Sequence, residues 1–163
     1  MTFQETLELV SDQDPIHILQ QTPAKLELYL MSFSPGDFER SYAPLKWNAR
    51  EILAHIADAE LVFAYRLRQM LYQKQHAFQA VDQMAWARDY QKLEPSLALD
   101  AFRALRMWNL ALFTRFGLED WFKEAEHPDY GMISVDTLIN YWAGHDLNHL
   151  SQLDAIAKAR ALN

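Results

Sequence analysis

Apolar residues recur with a period near 3.6 between Pro44 and Pro95, between Pro95 and Gly117, and from Gly131 to the C-terminus. The breakers are few, with prolines at 15, 23, 35, 44, 95 and 128, and they divide the chain into long stretches that suit helices better than strands. No Asn-Gly or Asp-Gly pair marks a two-residue hairpin. A first helix is predicted over 15–33. Asp14 and Thr22 precede Pro15 and Pro23 as cap and first-turn pairs, so this segment reads as one kinked helix or two. Asn48, followed three residues later by Glu51, carries capping-box chemistry and opens a second helix over 49–73, with Ile52, Ile56, Ala59, Phe63 and Leu67 on one face. A short helix is expected from Met84 to Tyr90. Pro95 starts a third long helix closed by Gly117, and Ser134 caps the last, over 135–162. Four long amphipathic helices bury their stripes most simply as an all-α four-helix bundle, with short extra helices in the connections.

Composition narrows the chemistry. A chain of 163 residues has room for one domain of ordinary size, so residues 1–163 are read as a single unit. There is no cysteine, which excludes a disulfide framework, thiolate metal sites and a cysteine nucleophile, and any metal must sit on nitrogen and oxygen. A formal charge of −7 without a basic block argues against nucleic acid as a partner. No apolar run approaches the roughly 20 residues needed to cross a bilayer, and the first residues lack a basic stretch before an apolar one. A cytoplasmic protein without membrane association is the expectation.

His145 and His149 stand four residues apart on the last helix, so they project from nearly one face, one turn apart, and can chelate one cation. Gln152 shares that face and is placed to orient a ligand or a water. Gly144 allows another element to approach closely beside the pair. Asp146 points about 100° away and reads as a solvated or supporting residue rather than a base. The best third ligand is His55, within the apolar face of the second helix, with Asp58 one turn on as a fourth ligand, a tautomer-fixing acceptor or a base for water. Arg66 returns to almost the same helical angle and can meet the anionic end of a substrate; alternatively it pairs with Asp58 as an ordinary ion pair. Trp142, three residues before His145, is a candidate pocket wall, with Tyr141 and Asn148 at the rim and His127 at the cavity mouth or in a cap. His17 and His76 read as surface residues. Spacing alone leaves two readings open, a metal site and a set of hydrogen-bonded core histidines.

The combination of WNAREILAHIADAE at 47–60, Arg66, HPDYG at 127–131 and HDLNHLSQ at 145–152 resembles the DinB/YfiT-like superfamily, specifically its DinB_2 type. The resemblance spans about two thirds of the chain. It implies a three-histidine metal site matching His55, His145 and His149, holding zinc, nickel or a similar divalent ion, in a protein that is commonly a homodimer. It implies either a hydrolase or a thiol S-transferase using a low-molecular-weight thiol, acting on a small electrophilic substrate. The different-class alternative is a non-catalytic helical module that binds a metal or a small ligand.

Overall fold

In a computed structural model, which describes residues 1–74 and 77–160, the chain forms six helices and one hairpin. These are α1 (Phe3–Glu8), α2 (Pro15–Ser32), α3 (Ala49–Tyr72), α4 (Gln83–Ala87), α5 (Pro95–Phe113), β1 (Glu124–His127), β2 (Gly131–Ser134) and α6 (Val135–Arg160), with short 3-10 turns in the connections. Two cap signals hold, since Asp14 accepts from Ile16 N–H and Asn48 and Glu51 form a reciprocal box, whereas Thr22 lies inside α2 with its hydroxyl on Ile18 O, and α5 ends at Phe113 with Thr114 as its cap, ahead of Gly117. Ser134 Oγ accepts from Thr137 N–H at the start of α6. His76 and residues 161–163 lie outside the described residues.

The long helices ring the core in the order α2, α5, α3, α6, so α2 faces α3 across the diagonal and α5 faces α6. The connections from α2 to α3 and from α5 to α6 therefore cross the bundle, and residues 33–48 and 114–134 supply them. Two apolar clusters fill the interior. One gathers Leu19, Phe63, Leu67, Ile139 and Trp142, and the other Leu26, Ile52, Leu53, Phe102 and Leu153.

Between them lies a polar layer to which all four long helices contribute. Arg106 of α5, fully buried, donates to both oxygens of Glu60 on α3, at 2.7–3.1 Å, and to Asp146 on α6 at 2.7 and 3.2 Å. Asn109 and the Trp142 indole N–H donate to the same Glu60 carboxylate at 2.9 and 3.0 Å. The contribution of α2 is a backbone carbonyl. Proline at 23 has no N–H, so Leu19 C=O lacks its intrahelical donor, and Arg106 Nη1 takes that place at 2.8 Å. With the carbonyl satisfied, α2 runs through Pro23 as one helix, which resolves the choice between one helix and two.

Two elements depart from the periodicity reading. The segment 124–134 is an antiparallel hairpin, with Glu124 opposite Ser134 and His127 opposite Gly131. Its three-residue loop is followed by Gly131 at φ +70°, the left-handed residue that such loops require, so the turn works without an Asn-Gly pair. Helix α1 was not anticipated either, although Thr2 and Glu5 form a capping box that the sequence displays. It rests on α6, with Thr6 buried. A side chain at Gly144 would place its Cβ 2.0 Å from the Thr6 carbonyl oxygen, so the close approach expected at Gly144 is real and its partner is α1.

Candidate metal centre

His55 lies on the inward face of α3, and His145 and His149 lie one turn apart on α6, the helix beside it. Their Nε2 atoms converge: His55 to His145 is 2.9 Å and His149 to His145 is 3.2 Å. Among the described residues, these three are the only group of histidine or carboxylate side chains able to converge on one ion, with their donor atoms all within 4.8 Å of one another. Asp58 is not part of that group. His55 and His149 are buried and His145 is half-buried.

Burial disfavours the imidazolium form at all three positions, and mutual repulsion adds to it at His55 and His145. The His55 pKa falls to about 3 and that of His149 to about 4, while His145 lies well below its ordinary value. Neutral imidazoles carry one N–H each. For His149 that proton sits on Nδ1, which donates to Gln152 Oε1 at 2.9 Å; the Gln152 amide is in turn oriented by donating to Asn148 Oδ1 at 3.4 Å. Its Nε2 lone pair is thereby aimed at the other two rings. Three Nε2 atoms facing one another cannot all be satisfied by shared protons, since one ring already carries its proton elsewhere. A cation at their centre satisfies all three, and an all-imidazole set without thiolate suits a divalent ion of the zinc, nickel, iron or copper kind.

The triad forms the junction of two cavities. The first, of about 160 Å³, is lined by His55 and His145 together with Asp58, Phe63, Arg66, Trp86, Tyr90, His127 and Tyr141. Asp58 accepts from the Tyr90 hydroxyl at 2.8 Å through Oδ2. Arg66 donates to His127 Nε2 at 3.1 Å and to the Gln79 carbonyl at 3.3 Å. Asp58 and Arg66 therefore do not form the ion pair offered as their alternative. The hairpin carries His127 to this position because Phe78 N–H bonds to Glu126 O at 2.8 Å, pinning the segment after α3 to β1. The second cavity, of about 360 Å³, reaches the triad from the side of Trp47, Asn148, His149 and Gln152.

The alignment of a DinB superfamily model with residues 18–153 spans all three histidines and most of the chain. The chain belongs to the DinB superfamily. Three other proteins are similar to it in sequence or in fold. A protein of Oceanobacillus iheyensis named "Putative metal-dependent hydrolase" is 23% identical over 146 residues, covering 89% of this chain and 85% of its relative. The similarly named YfiT of Bacillus subtilis is 21% identical over 146 residues. The solved structure of YfiT, described as a probable metal-dependent hydrolase with an unusual four-helix bundle topology, superposes with a TM-score of 0.85 over 90% of this chain and 86% of that one. A mycothiol-dependent maleylpyruvate isomerase shares the fold at a TM-score of 0.68 and 10% identity, over 94% of this chain and 61% of that chain.

Within this DinB-superfamily bundle, Trp142 stands apart from its expected role. It is 1% exposed, stacks on Phe63 with ring centroids 5.1 Å apart, and spends its N–H on Glu60. A fully buried indole needs a hydrogen-bond acceptor, and the one it uses, Glu60, lies inward, so the ring turns to the core and leaves the cavity wall to others. Asp146 is buried and paired with Arg106 in the polar layer, so it is not a solvated residue. Sequence reasoning missed Trp47 and Tyr90, whose rings lie 4.8 and 6.5 Å from His55, and the Glu60–Arg106 pair. The pair did leave a signal: each is a charged residue inside a run of apolar helix positions, where charge is costly unless matched.

Proposed function

We propose that this protein is a metal-dependent hydrolase acting on a small electrophilic substrate, with His55, His145 and His149 holding a zinc or nickel ion. The observation that carries this reading is the convergence of three neutral imidazole nitrogens at the base of a cavity wide enough for a ligand. The names of the DinB-superfamily relatives from Oceanobacillus iheyensis and Bacillus subtilis support it. When bound, a divalent ion supplies Lewis acidity at the open end of the triad.

The chain's residues do the rest. Gln152 holds the His149 ring and its tautomer through Nδ1. Asp58 has Oδ2 engaged by Tyr90 and lines the cavity, where Oδ1 is available to take a proton from a nucleophile. Phe63, Trp86 and Tyr141 give the cavity aromatic walls beside the reacting groups. A structural metal site would be closed off, whereas this triad meets cavities on two sides, which favours catalysis over a binding module.

A second reading is thiol S-transfer. The second cavity favours it, because it allows a thiol and an electrophile to approach the triad from different sides, and the fold shared with a mycothiol-dependent isomerase points the same way. Tag-free protein is expected to contain about one divalent ion per chain, and His55→Ala and His149→Ala are each expected to lose it; unchanged metal content in both variants sinks the site. Products formed with and without an added low-molecular-weight thiol separate the reactions, since turnover that needs no thiol is hydrolysis.

A further inference from the structure

Arg66 and Arg106 sit in opposite situations. Arg106 is matched by two carboxylates at 2.7 Å. Arg66 is half-buried in the wall of the first cavity, and among the described residues it forms no ion pair. Its two hydrogen-bond partners, His127 Nε2 and the Gln79 carbonyl, are uncharged acceptors. His127 stays neutral because burial and the adjacent guanidinium hold its pKa at about 4. Burial also pulls the Arg66 pKa down, against the opposing pull of Tyr141, Tyr130 and Asp129 in the same cavity. A guanidinium has five N–H donors and only two are used, so three remain for a ligand. The Arg66 guanidinium also lies 5.1 Å from the centre of the Phe78 ring, but no carboxylate among the described residues stands within ion-pair distance, and a cation so placed in a cavity beside the triad has the chemistry of an anion anchor.

We propose that Arg66 binds the carboxylate of the substrate, so that the protein acts on a small organic acid with its charged end at Arg66 and its reacting carbon toward His55 and His145. This rests on the reading of the triad as the reacting centre. Arg66 lies three turns beyond His55 on α3, and helix side chains lean toward the N-terminus, which brings the guanidinium back toward the histidines. The cavity, at about 160 Å³, is close to the roughly 150 Å³ that accommodates benzene, so the acid has a skeleton of about one ring. Phe63, Trp86 and Tyr141 give the cavity aromatic surfaces on which such a ring can pack. A monoanion fits better than a phosphate dianion, because Asp58 and Asp129 line the same cavity and repel a second charge.

Benzoate, its neutral isostere benzamide, and phenyl phosphate serve as probes, with binding to the full chain measured by calorimetry before and after loading with zinc. Benzoate is expected to bind at least tenfold tighter than benzamide and tighter than phenyl phosphate in both states. Arg66→Gln is expected to weaken benzoate by about ten- to a hundredfold while leaving benzamide unchanged, and Arg66→Lys to retain part of the preference. Equal binding of benzoate and benzamide to the unaltered protein overturns the proposal without reference to any variant. Benzoate binding seen only after zinc loading overturns it too, since the anion then sits on the metal, and tighter phenyl phosphate binding overturns the carboxylate assignment. Zinc stoichiometry on the same samples tests the triad separately: a chain that takes zinc but ignores ligand charge sinks only the Arg66 assignment, and one that prefers benzoate through Arg66 but takes no zinc sinks only the metal.

Discussion

At the scale of single residues, the histidines were legible because a helix converts a spacing of four into a shared direction, and His145 and His149 need no tertiary information to be paired. Joining His55 to them rested on its place in an apolar stripe and on family resemblance, and the fold brings it within 2.9 Å. What could not be read was how each side chain spends its polar atom. Trp142 and His145 lie three residues apart, yet the indole N–H goes inward to Glu60 while the imidazole meets the cavity. Gln152 is a proposal with a direct test. Gln152→Ala removes the acceptor on His149 Nδ1, frees the ring to rotate and change tautomer, and is expected to weaken zinc binding about 10- to 100-fold, read by competition with a chromogenic chelator.

Elements were legible where their pattern was long. Helices α2, α3, α5 and α6 follow from periodicity and caps, whereas the hairpin and α1 span only four to six residues per segment, too few for a period to show. Their signals were positional: Thr2 with Glu5, and a glycine placed after HPDY. The packing of α1 on α6 makes a prediction that propensity alone gets wrong. Gly144→Ala in an isolated helix would stabilise by about 1 kcal/mol. Here the added Cβ meets the Thr6 carbonyl at 2.0 Å, backbone that cannot rotate away, so α1 must lift. The variant is expected to be less stable by about 1–3 kcal/mol in urea denaturation. Loss of α1 docking also disturbs Phe3, whose ring stacks 4.2 Å from Tyr130 and 4.9 Å from Tyr141 at the cavity rim.

For the whole molecule, the bundle is organised around the polar layer as much as around its apolar clusters, and the layer's three charges carry a prediction of their own. Arg106→Met leaves Glu60 and Asp146 buried without their cation and is expected to destabilise by about 3–5 kcal/mol in urea denaturation. Replacing all three with apolar residues of similar size should recover part of that loss, because the unpaired charge is the costly state. A sequence can show that Arg106 and Glu60 are misplaced among apolar neighbours, but the ring order of helices that lets them meet depends on two long crossing connections with no periodic signature. Pro23 marks the same limit. As a helix breaker it suggests an interruption, yet its effect is to set the axial alignment of the bundle. In the interior of α2 the proline releases one carbonyl from the helix's own ladder, and it is the one that Arg106 reaches. Sliding α2 by one turn, about 5.4 Å, would carry that carbonyl out of reach and present the guanidinium with a ladder already closed. The missing proton at position 23 thus works as a notch, admitting α5 at a single height.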